Sequence, residues 1–293
     1  MSFSSFAGIF PYIVSPVDPD GTIRERVLRD LVNYLVNAGV HGITPLGSTG
    51  EFYYLSWEQK KRIVEIVLDE VNGRVPVTPG VASSSTNDAV RQAVEMEAMG
   101  ADGIVSVLNT YFPVKQEDAY SYFFRIADSV SCPVVLYNNP KFTHFDLSLS
   151  LLKQLSDLPN VNYYKDATGI TGNIMNIINL CGDRIRIFSA SAHLPVFVMM
   201  LGGVGWMSGP ACLIPKTCVK LYDLCRLQRW EEALALQKSI WEANYLFQKY
   251  NLAACIKAGL ELKGFEVGHP IAPNAGINEV GVQEIRNIIE QLD

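Results

Sequence analysis

Short runs rich in β-branched and aromatic residues alternate with longer helical patterns from the start of the chain to about residue 208. Parallel strands need crossover connections, so this alternation is typical of repeated strand–helix units around a parallel sheet. Eight strands are predicted, at residues 9–14, 42–46, 75–81, 103–108, 133–137, 161–165, 184–189 and 204–207. We therefore predict an α/β fold, a closed (β/α)8 TIM barrel, although a doubly wound open sheet would give a similar alternation.

The strand pattern stops near residue 210, and the remainder of the chain carries helical spacing. Apolar residues such as Leu221, Leu224 and Cys225 recur at intervals of three and four, as they do on the buried face of a helix. We predict a barrel domain over residues 1–210 and a C-terminal helical extension over residues 211–293, without a flexible linker between them.

Charge and composition narrow the classes of function. The 293 residues include 24 Lys and Arg against 30 Asp and Glu, which gives a net charge of −6, and no run of basic residues occurs. No nucleic-acid partner is expected, because such partners need a basic surface. The longest uncharged stretch, residues 187–215, is interrupted by glycine, serine and proline. It is predicted to be strand–helix–strand rather than a membrane span, so no membrane partner is expected.

The cysteine and histidine patterns bear on disulfide formation, metal binding and the cellular compartment. The six cysteines include no CxxC pair and mostly lie in apolar runs, which favours reduced, buried thiols over disulfides or a zinc site. The four histidines form no spaced ligand set, so no metal site is expected. Residues 1–15 lack the cationic start and apolar core of a signal peptide. We predict a cytoplasmic protein.

Active sites of barrels of this type lie at the C-terminal ends of the strands, which directs attention to Lys165. Lys165 ends the predicted strand 161–165, and period-2 alternation places Val161, Tyr163 and Lys165 on one face. If that face points inward, burial disfavours the ammonium and leaves an amine that can attack a carbonyl. The alternative is a lysine that extends from the strand end into water.

Tyr137 ends the preceding predicted strand, about 4.8 Å away across the sheet, so its phenol can meet the Lys165 amine. A tyrosine hydroxyl there can transfer protons, or Tyr137 can be a core residue with its hydroxyl at the rim. Tyr111 follows the fourth predicted strand and fits a functional loop residue and a surface aromatic equally well.

The loop at residues 47–51 follows the second predicted strand and reads G-S-T-G-E. Its glycines let backbone amides converge on an anion, and the Ser48 and Thr49 hydroxyls add donors, so the loop suits a carboxylate or phosphate. It is not a P-loop, because no G-K-[ST] follows. Glu51 would repel an anion if it pointed inward, so a structural role is predicted for it.

Three motifs taken together resemble the dihydrodipicolinate synthase/N-acetylneuraminate lyase family of Schiff-base-forming aldolases and lyases. They are the loop at 47–51, Y-N-N-P at 137–140 and K-D-A-T at 165–168, each in order at the end of a predicted strand. The resemblance spans essentially the whole chain. It implies a (β/α)8 barrel with a C-terminal helical extension.

The resemblance also implies a mechanism. Neutral Lys165 would attack the ketone of pyruvate or another 2-oxo acid and form a protonated imine, with no cofactor besides this covalent imine. The carboxylate of the acid would rest on the loop formed by Gly47, Ser48 and Thr49. An aldehyde would be the second substrate.

Further residue roles follow from the same resemblance. Tyr137, through the Ser48 hydroxyl and Tyr111, would move protons during the reaction. The remaining substrate-binding positions are Phe142, Ala190 and Met207. The tyrosine that matches Tyr111 often reaches into a neighbouring subunit in this family, which implies a homodimer or homotetramer.

Two departures leave the second substrate open. Phe142 stands where dihydrodipicolinate synthases usually carry an arginine for a second carboxylate, and residues 189–192 read Ser-Ala-Ser-Ala where the lyases have an acidic pair. With Phe52 and Phe112, Phe142 could form an apolar wall. We expect aspartate semialdehyde to be a poor substrate and a neutral aldehyde to be better. A 2-keto-3-deoxy sugar-acid dehydratase or aldolase remains an alternative, as does a non-catalytic 2-oxo-acid-binding protein.

Overall fold

The computed structural model describes residues 5–190, 192 and 194–292. Seven parallel strands form one sheet in the order β1-β7-β6-β5-β4-β3-β2. The strands are β1 (Gly8–Pro11), β2 (Gly80–Ser83), β3 (Ile104–Leu108), β4 (Val134–Asn138), β5 (Val161–Asp166), β6 (Arg186–Ser189) and β7 (Gly205–Ser208). The α/β class predicted from the sequence is confirmed.

Helices separate and surround the strands. They are α1 (Glu25–Asn37), α2 (Trp57–Val71), α3 (Thr86–Ala98), α4 (Gln116–Ser129), α5 (Pro140–Thr143), α6 (Leu149–Leu155), α7 (Thr171–Cys181), α8 (Pro195–Met200), α9 (Pro215–Arg226), α10 (Trp230–Lys249), α11 (Leu252–Leu262) and α12 (Glu279–Leu292). Short 3-10 turns lie at Phe52–Tyr54, Gly182–Arg184 and Pro210–Cys212.

The prediction of a regular second strand at residues 42–46 is wrong. This segment makes only isolated parallel bridges, Thr44 with Tyr12 on one side and Ile43 with Val77 on the other. A regular ladder cannot continue here because proline has no amide hydrogen and residue 46 turns into the left-handed region, with φ of 60° at Leu46. The described residues therefore form seven strands with one irregular extended segment beside them, instead of eight strands.

Alternation along the strands builds two apolar layers, one inside the curled sheet and one between the sheet and the helices. The inner layer contains Phe6, Phe10, Tyr12, Ala82, Val105, Val107, Val135, Tyr137, Tyr163, Phe188 and Met207. Val161, predicted to share one face with Tyr163 and Lys165, lies in the outer layer instead. The pairing of β4 with β5 shifts register between Val134 and Val135, and this irregularity breaks the strict alternation before Tyr163.

The C-terminal helix α9 contacts β1 directly and also packs against the loop that precedes residues 42–46. The Tyr222 ring of α9 lies 4.7 Å from the His41 ring, between ring centroids. The boundary at residue 210 stays a prediction. All six cysteines are free, and five of them are buried. No helix within the described ranges is both long and apolar enough to cross a membrane.

Candidate active site

Lys165 lies on β5 inside the curled sheet, where its side chain is only 4% exposed. Its Nζ is 3.4 Å from the ring centroid of Tyr12 and 3.9 Å from that of Tyr137. Among the described residues, no carboxylate lies within ion-pairing distance of this amine. Burial therefore lowers the pKa of Lys165 well below its usual value, which favours the nucleophilic, uncharged form.

Tyr137 is directly paired with Lys165 in the β4–β5 register. Its hydroxyl accepts a 2.7 Å hydrogen bond from Asn139 Nδ2 and is hydrogen-bonded to the Ser48 side chain. Burial raises the pKa of Tyr137 to about 12, although the bonds to Asn139 and Ser48 act in the opposite direction. The phenol is therefore protonated at neutral pH and positioned beside the Lys165 amine.

The loop at 47–51 faces the same region. A Cβ on Gly47 would lie 1.8 Å from Cδ1 of the Tyr12 ring, so only glycine lets this loop approach the ring. Thr49 is buried, and Ser48 is half-buried at the wall of a cavity. The loop thus lies next to both tyrosine rings that cover Lys165.

Glu51 closes the loop by a buried ion pair. Its Oε2 lies 2.8 Å from Lys257 Nζ on α11, and both side chains are 1% exposed. Its Oε1 accepts hydrogen bonds from the Ile271 amide at 2.8 Å and from Asn274 Nδ2 at 3.3 Å. The carboxylate is therefore engaged by the C-terminal part of the chain, in the structural role that the sequence indicated.

A cavity of about 430 Å³ opens beside Tyr137 and Ser48. It is lined by Ser48, Glu51, Phe52, Tyr53, Tyr54, Val107, Asn109, Thr110, Tyr111, Tyr137, Asn139, Phe142, Thr143, His144, Asn251, Leu252, Ala253 and Asn274. Neither lysine nor arginine occurs in this described lining, and four of the residues are asparagines. The described lining therefore combines apolar surface with amide groups, and it offers no lysine or arginine to a second carboxylate.

The predicted rim residues are open to solvent. Tyr111 is 89% exposed and Phe142, on α5, is 58% exposed. Phe112 packs edge-on against Tyr111 and does not line the cavity. The apolar wall expected from three phenylalanines is therefore reduced to Phe52 and Phe142.

The remaining predicted positions lie deeper. Met207 is fully buried in the inner layer, and Ala190 follows β6 and packs against that layer. The Ala190 carbonyl accepts a 3.2 Å hydrogen bond from Trp206 Nε1. Ser191, which the sequence comparison with the lyases used, lies outside the described residues.

Tyr12 is a residue of the site that was not predicted from the sequence. It follows β1 with its ring toward Lys165, and its hydroxyl has no hydrogen-bond partner within the described part of the chain. The available signal was the tyrosine itself, a polar aromatic near the end of a strand that is otherwise apolar.

No cluster of three or more His, Cys, Asp or Glu side chains that could hold a metal ion occurs among the described residues. The site consists of an amine, phenols, hydroxyls and backbone amides beside a cavity, and the described lining of that cavity includes Ser48 and Tyr137 but not Lys165. Such a set can form a covalent imine and transfer protons.

Comparisons with known proteins agree with this geometry. The model of the dihydrodipicolinate synthetase family matches residues 5–292. A 4-hydroxy-tetrahydrodipicolinate synthase from Methanopyrus kandleri is 33% identical over 288 residues, covering 97% of this chain and 96% of that protein.

Solved structures show the same similarity. YagE, an Escherichia coli K12 prophage protein of the dihydrodipicolinic acid synthase family crystallised with pyruvate, is 28% identical, with a TM-score of 0.93 and 98% coverage of each chain. The dihydrodipicolinate synthase of Agrobacterium tumefaciens is 27% identical, with the same TM-score and coverage. The chain therefore belongs to the dihydrodipicolinate synthetase family and is a lyase of that family.

Proposed function

We propose that this lyase acts on pyruvate or a related 2-oxo acid through an imine on Lys165, and that it needs no other cofactor. The observation that carries the proposal is a buried amine that has no carboxylate partner among the described residues and is covered by two tyrosine rings beside a cavity. Burial keeps the amine uncharged, and an uncharged amine is the form that attacks a ketone.

The chemical steps follow from this amine. Lys165 Nζ bonds to C2 of the 2-oxo acid while the carbonyl oxygen takes up a proton, and loss of that oxygen as water leaves a protonated imine. Removal of a proton from C3 gives an enamine, whose C3 bonds to the carbonyl carbon of an aldehyde while the aldehyde oxygen takes up a proton and becomes a hydroxyl; the imine is restored on the same carbon skeleton. Hydrolysis of the imine then releases the product and restores the amine; cleavage runs the same steps in reverse.

The residues around the amine supply charge stabilisation and protons. The faces of the Tyr12 and Tyr137 rings attract the positive charge that the imine carries. The Tyr137 hydroxyl, bonded to Ser48, passes protons to and from the reacting oxygen. Tyr111, at the rim of the same cavity, completes the proton path toward solvent.

The loop at 47–51 would hold the carboxylate of the 2-oxo acid. The amides of Ser48 and Thr49 and the Thr49 hydroxyl are its donors, since backbone amides in glycine-rich loops bind anions. Glu51 does not oppose this role, because Lys257 pairs with its carboxylate. Gly47 brings the loop against the Tyr12 ring, close to Lys165.

Borohydride reduction in the presence of pyruvate tests the proposal. Two lysines are buried among the described residues, and of these two only Lys257 has a carboxylate partner there. We expect one stable pyruvate adduct, mapped by mass spectrometry to the Lys165 peptide, and none in Lys165→Met. An adduct on Lys257, or no adduct on the native chain, would show that the imine mechanism is wrong.

The second substrate is proposed to be a neutral aldehyde or a 2-oxo acid with an uncharged tail. A second carboxylate would need a donor such as arginine, because an unpaired buried charge is costly. The cavity lining has no such residue among those described, and its asparagines suit hydroxyl and carbonyl groups. The same asparagines favour a second candidate activity, dehydration or cleavage of a 2-keto-3-deoxy sugar acid through the same imine.

Steady-state rates across a substrate panel test this specificity. With pyruvate, aspartate semialdehyde should give a kcat/KM below about 10⁴ M⁻¹s⁻¹, whereas a neutral aldehyde should exceed that value. Phe142→Arg should raise the activity with aspartate semialdehyde at least about tenfold, which is the effect of one good interaction. Phe112→Arg, an exposed change outside the cavity lining, should not. High activity of the native chain with aspartate semialdehyde would refute the prediction.

We also propose that the protein is a homodimer or homotetramer and that it is located in the cytoplasm. Tyr111 and Phe112 expose two aromatic rings at the cavity rim, and exposed aromatic surface is typical of subunit contacts. Free and mostly buried thiols suit a reducing compartment. Sedimentation equilibrium should show a dimer or larger species, and a monomer at micromolar concentration would contradict this assembly.

A further inference from the structure

Tyr12 has a hydroxyl that the fold itself does not use. The side chain is 2% exposed, and its hydroxyl has no hydrogen-bond partner within the described residues. Leaving a buried polar group unpaired costs free energy, so such a group needs an explanation. Phenylalanine would fill the same space and present the same ring to Lys165 without that cost.

The other tyrosines inside the sheet are satisfied. The Tyr137 hydroxyl accepts from Asn139, and the Tyr163 hydroxyl accepts from the Phe6 amide at 2.8 Å. Tyr12 differs from both, although its ring lies in the same inner layer. Its unpaired hydroxyl is therefore specific to this position and not a general property of buried phenols in this fold.

The position of the Tyr12 ring indicates what the hydroxyl would meet. One side of the ring is 3.4 Å from Lys165 Nζ, measured to the ring centroid, and its edge contacts the backbone at Gly47. Tyr12 thus lies between the amine that would form the imine and the loop that would hold the carboxylate. Burial raises the pKa of Tyr12 well above its usual value, so the hydroxyl keeps its proton and can donate.

We propose that Tyr12 is a substrate-binding residue whose hydroxyl donates a hydrogen bond to the carboxylate of the 2-oxo acid, beside the amides of Ser48 and Thr49. The proposal rests on the proposed function, because the carboxylate is present only when the imine substrate is bound. A hydrogen bond to a charged group is stronger than one between neutral groups, so the missing partner is supplied by the ligand.

The test compares Tyr12→Phe with Tyr163→Phe, which removes a paired hydroxyl from the same inner layer. Tyr12→Phe should raise the KM for pyruvate about 10–100-fold, which corresponds to loss of a bond to a charged group, and should change kcat far less. The melting temperature without ligand should stay the same or rise in Tyr12→Phe. It should fall in Tyr163→Phe, which leaves the Phe6 amide unpaired, while the KM stays native.

Several results would overturn the proposal. An unchanged KM in Tyr12→Phe would show that the hydroxyl does not touch the substrate, and a fall in kcat at constant KM would place it at the reacting oxygen instead. A melting temperature lowered as much as in Tyr163→Phe would make it a structural group. If the native chain forms no borohydride adduct with pyruvate, the proposed function fails and this role fails with it; a native adduct with an unchanged KM removes only the Tyr12 role.

Discussion

At the scale of single residues, the buried Lys165 amine lowers the stability of the folded state, because burial disfavours its charged form. Burial lowers the pKa of Lys165, so between this lowered value and the unfolded value near 10.4 the folded state binds fewer protons than the unfolded state. The free energy of unfolding therefore rises with pH through that window, and the full penalty is present below it. Burial of Lys165 is therefore expected to lower the free energy of unfolding at neutral pH, and the same burial keeps the amine uncharged and reactive.

Replacing Lys165 with methionine should remove this penalty. At about pH 7 we expect Lys165→Met to raise the free energy of unfolding by about 0.5–2 kcal/mol, a gain typical of relieving strain in an active site. The difference in free energy of unfolding between this variant and the native chain should shrink as the pH approaches 10, because Lys165 then loses its proton in the unfolded state as well as in the folded state. Urea unfolding at several pH values measures it, with the exposed Lys141→Met as control. A destabilised Lys165→Met would mean that the amine makes a structural interaction.

At the scale of elements, the loop after the irregular segment depends on a helix far along the chain. The Glu51–Lys257 ion pair joins the loop at 47–51 to α11, and both side chains are buried. The bond from the Ile271 amide to Glu51 adds the segment that follows α11. The loop at 47–51 is therefore held from outside the strands, by the C-terminal part of the chain.

Breaking this pair should be costly, and removing both partners should cost less. Glu51→Gln and Lys257→Met each leave one buried charge unpaired, which typically costs about 3–5 kcal/mol. The double variant buries no unpaired charge, so its decrease in the free energy of unfolding should be clearly smaller than the sum of the decreases in the two single variants. Urea unfolding of the three variants gives the coupling free energy. Additive losses would show that the two side chains do not stabilise each other.

At the scale of the whole molecule, the first and last strands of the chain meet in close backbone contact. Gly205 of β7 pairs with Gly8 of β1, and a Cβ on Gly205 would lie 2.1 Å from the Gly8 carbonyl oxygen. The two backbones approach so closely that no side chain fits between them. The close pairing of β1 with β7 therefore depends on glycine at this point.

Gly205→Ala should test the junction directly. The added methyl forces the backbones apart, and overpacking of this kind typically costs about 1–3 kcal/mol. Gly172→Ala is the matched control, because its Cβ would meet open space on α7 and should be neutral or stabilise by up to about 1 kcal/mol. Equal melting temperatures of the two variants would show that β1 and β7 can move apart at Gly205 without a loss of stability.

The amino-acid sequence by itself determined the α/β class and the family motifs, because strand periodicity and short motifs are local patterns. It also placed Tyr137 and Lys165 at the ends of neighbouring strands, and the register pairs them directly. Their chemical roles stay predictions. The sequence did not determine how irregular residues 42–46 are, or that Val161 faces outward.

Tertiary structure alone decided which distant residues surround the amine. The Tyr12 ring covers Lys165, and Lys257 forms an ion pair with Glu51, although the two residues of each pair are far apart in the chain. Burial, unpaired hydroxyls and close backbone approach arise only when separate segments pack together. A shifted pKa depends on those contacts: the strand pattern indicated a lowered pKa for Lys165 only on the condition that its face points inward, and the fold decides that it does.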